Sequence, residues 1–205
     1  HALGASYFGS KQYGLKYANV LTQSYHPVKH ITTGEGGAIL TNEREIIEKV
    51  RILRSHGMTK NPKLLSEIQG PWYYEMIDLG FNYRLTDFQS ALGSSQLKKL
   101  NSFVKKRRSI AKLYNEAFAD ITNISTPKVN SNAKHSYHLY PALINFSQSK
   151  INKVKFFKIM KSQSINLQVH YIPIHLQPYY RKYFNFKKGD FPKAEKFYEN
   201  EVSLP

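Results

Sequence analysis

The residues best suited to covalent chemistry lie together in Ser24-Tyr25-His26-Pro27-Val28-Lys29-His30-Ile31-Thr32-Thr33-Gly34-Glu35-Gly36-Gly37. Lys29 sits two residues after Pro27 and is flanked by His26 and His30. A lysine on a turn among other nitrogen bases gives up its proton more readily, and a neutral amine is what condensation with an aldehyde requires. Ser24, five residues before the lysine, offers a hydroxyl to a phosphate. Gly34, Gly36 and Gly37 let the backbone turn tightly into the next strand. No Lys-Ser or Lys-Thr closes a glycine-spaced cradle, so this is not a P-loop. On the residues alone, the stretch is a phosphate or aldehyde site, or else a solvated lysine beside an ordinary turn.

Strands predicted at 18–25 and 37–41 must hold this stretch between them. Apolar spacing predicts a helix over 43–54, with Asn42 as its N-cap. Residues 55–80 are loop-rich, and Trp72-Tyr73-Tyr74 reads as a hairpin strand or a packing plug. Thr86-Asp87-Phe88-Gln89 is a capping box that opens a long helix over 86–118. Gly93 weakens it by about 1 kcal/mol against alanine but permits close packing. Beyond it come a strand at 137–146, a helix at 150–163, a strand at 165–171 and a helix opening near Asp190 and Pro192. Pro141 marks the first of these strands as an edge or a bulge. This order predicts a small α/β lobe after the long helix.

The 205 residues carry 30 Lys+Arg against 14 Asp+Glu, a net charge of +16. Such a balance draws polyanions or reflects a lysine-rich solvated surface. Lys105-Lys106-Arg107-Arg108 and the lysines of 150–161 open a nucleic-acid-binding reading, although no zinc-finger, RRM or KH signature accompanies them. No apolar run approaches the roughly 20 residues of a membrane helix, and no basic-then-apolar leader pattern opens the sequence. Cysteine is absent, which removes disulfides, thiolate metal sites and a cysteine nucleophile, and fits a cytoplasmic protein. No metal site is expected.

The Ser24–Gly37 string resembles the Schiff-base segment of the DegT/DnrJ/EryC1 family of sugar-nucleotide aminotransferases. Further matches follow in order: His1-Ala2-Leu3-Gly4, then Leu79-Gly80-Phe81-Asn82-Tyr83-Arg84-Leu85-Thr86-Asp87-Phe88-Gln89, then Val169-His170-Tyr171-Ile172-Pro173-Ile174-His175-Leu176-Gln177-Pro178-Tyr179-Tyr180. Together they span essentially all 205 residues. The run 186–192 and the residues 194–199 resemble the pseudaminic-acid branch in particular. The resemblance implies an α/β protein of the pyridoxal-phosphate-dependent transferase fold type I, aspartate aminotransferase-like. Residues 1–85 would be the C-terminal portion of an incomplete large α/β/α domain, 86–118 a connecting helix, and 119–205 a small C-terminal α/β domain.

The same resemblance implies roles. Lys29 would form the Schiff base with pyridoxal 5'-phosphate and move protons during transfer. Ser24 would bind the cofactor phosphate, His1 its ring hydroxyl, and Asn82 the phosphate of a neighbouring subunit, making a homodimer with shared active sites. Arg84 would contact phosphate or substrate, and Tyr137, His138, His170, Tyr171 and His175 would line the sugar-nucleotide side. Family members that dehydrate rather than transaminate carry histidine in place of the lysine, so Lys29 implies transfer from L-glutamate to a UDP-linked keto sugar. Neither nucleic acid nor membrane is then expected as a partner.

Some family features lie outside this sequence: the aspartate that pairs with the pyridine nitrogen, the N-terminal phosphate loop, the aromatic that stacks on the ring, and a last helix. Tyr25 replaces the common Phe, and Asn19 a frequent Asp. The chain is therefore expected to be a fragment that binds cofactor poorly by itself and exposes apolar surface, or an inactive partner of an intact paralogue.

Overall fold

The computed structural model describes residues 1–11 and 13–205. The strands are β1 (Ser6–Tyr7), β2 (Val20–Ser24), β3 (Gly37–Thr41), β4 (Met58–Thr59), β5 (Glu75–Met76), β6 (Ile124–Ser125), β7 (Ala133–Lys134), β8 (Tyr140–Ile144) and β9 (Glu201–Leu204). The helices are α1 (Arg44–Leu53), α2 (Asp87–Ala117), α3 (Lys153–Ser162), α4 (Pro178–Phe184) and α5 (Pro192–Asn200). The chain forms two compact units, His1–Phe103 and Val104–Pro205, and the division falls within α2. No helix among the described residues is long and apolar enough to cross a membrane.

In the first unit β2 and β3 pair antiparallel, from Val20 opposite Thr41 to Ser24 opposite Gly37. The pairing depends on a residue without a side chain at its mouth: a Cβ on Gly37 would stand 2.5 Å from the Gln23 carbonyl oxygen. The helix predicted after β3 is α1, but its N-cap is Glu43 rather than Asn42, and no side chain caps it. The Glu43 amide instead donates to Thr41 Oγ1 at 3.0 Å, so the turn out of β3 supplies the acceptor.

The Trp72-Tyr73-Tyr74 run is neither strand nor plug: the strand begins at Glu75, and Trp72 is 70% exposed. A carboxylate organises this loop. Glu75 accepts from the Ser66 amide and hydroxyl, the Glu67 amide and the Tyr73 hydroxyl. These donors, the Ser66 hydroxyl first, hold Glu75 down at about 2, while the same carboxylate pushes the Tyr73 phenol up.

The capping box of α2 forms as its sequence predicts. The Gln89 amide donates to Thr86 Oγ1 at 3.3 Å, and the Thr86 amide donates to Gln89 Oε1 at 3.0 Å. Gly93 admits the close contact expected of it, since a Cβ there would lie 2.8 Å from Thr33 Cγ2. Large apolar side chains stay exposed along this part of the chain, among them Phe88 at 90% and Leu79 at 78%.

The second unit is built on the sheet β6-β8-β9. Its core joins Tyr140, Ala142 and Ala111 of α2 in one cluster, and Ile144, Leu167 and Val202 in another. Burying each of the larger aliphatic residues contributes about 1.5–3 kcal/mol. Two expectations fail here. Pro141 lies in the central strand, not at an edge. It is tolerated because β6 reaches β8 only at Leu143 and Ile144, so one side of β8 at Pro141 carries no ladder. The strand expected over 165–171 is absent; its one pairing is the bridge Gln168–Ser203. The third strand of the sheet is β9, placed opposite Tyr140 to Leu143 of β8.

A buried hydrogen bond ties α5 to the segment before α4. His175 Nε2 lies 2.8 Å from Glu195 Oε1, and the Gly189 amide donates to the same oxygen at 2.7 Å. Both side chains are almost fully buried. The His175 bond, then the Gly189 amide, lowers the Glu195 carboxyl from its ordinary range.

Two outcomes follow for stability. Gly37→Ala forces the β2–β3 mouth apart and lowers the unfolding free energy by about 1–3 kcal/mol, read from urea midpoints. Glu195 is depressed in the folded state, so its contribution is complete above the ordinary carboxylate range and fades as pH falls through the lowered value. Urea midpoints measured across acidic pH should fall less steeply in Glu195→Gln than in the parent, with the slope due to Glu75 retained.

Candidate functional site

The stretch between β2 and β3 is a closed loop. The Tyr25 amide donates to the Gly36 carbonyl at 2.8 Å and the Thr33 amide to the Tyr25 carbonyl at 3.0 Å, shutting its base. Thr32 Oγ1 donates to the Tyr25 carbonyl, and Thr33 Oγ1 to the Glu35 carbonyl at 2.7 Å. His30, Ile31 and Thr33 are buried and anchor the loop. Its return arm is further held by Gln89 of α2, whose side-chain amide donates to the Glu35 carbonyl at 3.0 Å. The Lys29 amide donates to the His26 carbonyl at 2.9 Å, which closes a turn and presents the lysine at the loop's head.

The Lys29 amine lies 2.8 Å from Nε2 of His1. Either the ammonium donates to a neutral imidazole or the imidazole donates to a neutral amine. In both cases one proton is held between two bases. The partner imidazole is thus not one of the two that flank Lys29 in sequence. His26 takes the Val28 amide on Nδ1 and faces Glu35 at 3.8 Å, while His30 is buried. Ser24, at the end of β2, is exposed, and its hydroxyl accepts from the His26 amide at 3.4 Å.

Asn82 and Arg84 belong to the same unit, on a strip stitched to the end of α1. The Phe81 amide donates to the Leu53 carbonyl, the Tyr83 amide to the Arg54 carbonyl, and Asn82 bridges to Ser55. The side chains of Asn82 and Arg84 are exposed and form no hydrogen bond among the described residues. The backbone is committed here while the polar tips are left available.

In the second unit the candidate residues form two groups. Tyr137 has a left-handed φ of 48°, its amide donates to His135 Nδ1 at 3.1 Å, and Arg107 donates to the Tyr137 and His138 carbonyls. Arg108 donates to the His135 and Lys134 carbonyls. Two of the four cations in the basic run 105–108 therefore tether a loop, a structural use that the sequence pattern does not reveal. The other group is His170 and Tyr171, whose rings meet edge to face at 4.7 Å. Tyr171 is exposed, whereas His170 is half-buried and bonded to Ser203 and Glu201 of β9. His175 departs from the expected lining: it is 6% exposed and its Nε2 is occupied by Glu195. Glu201 and Ser203 escaped the sequence reading; the signal was a carboxylate and a hydroxyl two apart beside Val202, the spacing of one strand face.

No group of three or more His, Cys, Asp or Glu suited to a metal occurs among the described residues. The chemistry on offer is that of an amine paired with an imidazole, beside exposed hydroxyl, amide and guanidinium groups.

Comparison with known proteins identifies the family. The profile of the DegT/DnrJ/EryC1/StrS aminotransferase family matches residues 1–205. A Campylobacter jejuni protein named UDP-4-amino-4,6-dideoxy-N-acetyl-beta-L-altrosamine transaminase is 41% identical over the whole chain, which covers 51% of that protein. Helicobacter pylori PseC, an aminotransferase involved in the biosynthesis of pseudoaminic acid, superposes with a TM-score of 0.86 at 37% identity, covering 100% of this chain and 52% of its own. Spr1654 of Streptococcus pneumoniae, assigned as a sugar aminotransferase and solved in PLP and PMP forms, gives a TM-score of 0.86 at 27% identity, covering 100% and 50%. The chain spans about half the length of the curated relatives it matches. Its mixed α/β architecture is the fold type I of pyridoxal-phosphate-dependent transferases. With a closed lysine loop, that fold and a family profile running from its first residue to its last, the chain belongs to the DegT/DnrJ/EryC1/StrS aminotransferase family.

Proposed function

We propose that this chain carries the cofactor-attaching part of an aminotransferase that moves an amino group from L-glutamate to the 4-keto group of a UDP-linked sugar, in pseudaminic acid or related surface-glycan synthesis. The observation that carries this reading is the Lys29 amine 2.8 Å from the His1 imidazole at the head of a braced loop. The names of the Campylobacter and Helicobacter relatives support the sugar class. The PLP and PMP forms of Spr1654 support the cofactor.

The residues present fit pyridoxal phosphate: a primary amine for its aldehyde, an imidazole for its ring hydroxyl, and an exposed serine hydroxyl for its phosphate. Lys29 takes the aldehyde, His1 the ring hydroxyl and Ser24 the phosphate, with Asn82 reaching the phosphate across a homodimer. Bound there, the cofactor supplies an electron sink that acidifies the hydrogen beside the substrate nitrogen. Displaced from the aldehyde by the substrate amine, Lys29 would be free to accept that proton at Nζ and return it, and His1 would hold a proton beside it at Nε2. Arg84 contacts phosphate or substrate. Tyr137, His138, His170 and Tyr171 line the sugar-nucleotide side, and His175 supports them through its brace to Glu195. The excess of cations, net +16, suits a doubly anionic UDP-sugar, and a cytoplasmic location goes with this reading.

The test is chemical trapping. The protein, as found in its source, is incubated with pyridoxal phosphate, reduced with borohydride and mapped by mass spectrometry. A phosphopyridoxyl mass on Lys29 alone, lost in Lys29→Arg, is expected. Label scattered over surface lysines, unchanged by that substitution, overturns the reading.

A further inference from the structure

Glu201 is fully buried and Ser203 nearly so, both on one face of β9. The bridge between Gln168 and Ser203 holds the segment before His170 alongside β9. Three hydrogen bonds then run in series. The His170 amide donates to Glu201 Oε2 at 2.9 Å, the Ser203 hydroxyl donates to Glu201 Oε1 at 2.6 Å, and His170 Nδ1 meets Ser203 Oγ at 2.8 Å. Both carboxylate oxygens thus face donors, and Lys153 acts on the same carboxylate electrostatically. Burial lowers the Lys153 amine and Glu201 pulls it back up, the response of a cation to a nearby anion.

Counting protons decides the tautomer. A serine hydroxyl has one hydrogen, and here it is spent on Glu201, which as a carboxylate only accepts. The contact between Ser203 Oγ and His170 must therefore be donated by Nδ1–H. That leaves Nε2 as the bare nitrogen, and it has no hydrogen-bond partner among the described residues. We propose that Glu201 and Ser203 are positioning residues that lock His170 in its Nδ1–H form, so that Nε2 accepts a hydrogen bond from the N-acetyl N–H of the sugar nucleotide, a group that can donate but not accept. This rests on the reading of His170 as part of the substrate side; the lock itself rests on the hydrogen bonds alone.

The decisive substitution is Glu201→Gln, which keeps size and shape. The His170 amide still needs an acceptor, so the new amide oxygen stays on that side and its NH₂ faces Ser203. Ser203 then accepts from Gln and donates to His170 Nδ1, and the imidazole must flip to Nε2–H. Every hydrogen bond survives while the outward nitrogen changes from acceptor to donor. Two-bond ¹H–¹⁵N spectra of the ¹⁵N-labelled chain, at a pH where His170 is neutral, read this directly. The expected result is Nδ1–H in the parent, Nε2–H in Glu201→Gln, and loss of a fixed tautomer in Ser203→Ala. An Nε2–H parent, or the same tautomer in parent and Glu201→Gln, overturns the lock.

Binding of UDP-N-acetylglucosamine, followed by calorimetry, separates the lock from the reading beneath it. Glu201→Gln and His170→Ala should each weaken it by about tenfold, the value of one lost hydrogen bond. If His170→Ala weakens binding and Glu201→Gln does not, the substrate-side reading stands and the role of the lock is overturned. If the tautomer flips yet neither variant changes binding, or the parent does not bind the probe, the substrate-side reading of His170 is overturned and the lock remains as a feature of the fold.

Discussion

The position of Lys29 depends on one short stretch of backbone pairing, where β2 and β3 meet and the Tyr25 amide reaches the Gly36 carbonyl. Everything between these points is a loop, and a loop without that closure has no fixed head. The hydroxyls of Thr32 and Thr33 fold the interior of the loop onto itself, and Gln89 pins its return arm from the start of α2. An amine carried on a long flexible stem is in this way delivered to an imidazole far away in sequence. Pre-organising the base of the loop, rather than the lysine itself, lowers the entropy lost when the amine engages a partner.

The second unit solves a different problem, that of burying carboxylates. Glu195 and Glu201 are each enclosed, and each is surrounded by donors: an imidazole and a backbone amide for one, a hydroxyl and a backbone amide for the other. A buried charge without such partners is strongly destabilising, whereas a well-bonded one gives geometric definition more than net stability. The two histidines involved, His170 and His175, look alike in the sequence but have opposite placements. One is half-buried with an outward nitrogen, and the other is enclosed as a brace.

Local signals in the sequence carried much of this. Apolar period and turn residues located β2, β3, α1 and α2, and the Thr86–Gln89 box located the start of α2. The lysine loop was legible because glycine, threonine and proline punctuate it. What stayed hidden depended on contacts between distant segments. Residues 165–171 have strand character, but β9 pairs with β8 first and leaves them a single bridge. Pro141 looked like an edge signal because nothing local reveals how short the neighbouring β6 is. The pairing of His1 with Lys29 and the tethering by Arg107 and Arg108 are likewise invisible without the fold.

The sheet of the second unit also sets an order of events. β2 and β3 are separated by little more than their own loop, so they can close as soon as both have left the ribosome. β8 has only the short β6 to pair with among earlier residues; its longer ladder waits for β9, after α3, α4 and α5 have been made. The ladder that holds the lysine loop is thus local in sequence, whereas the ladder that completes the second unit's sheet joins distant segments and costs more chain entropy to close.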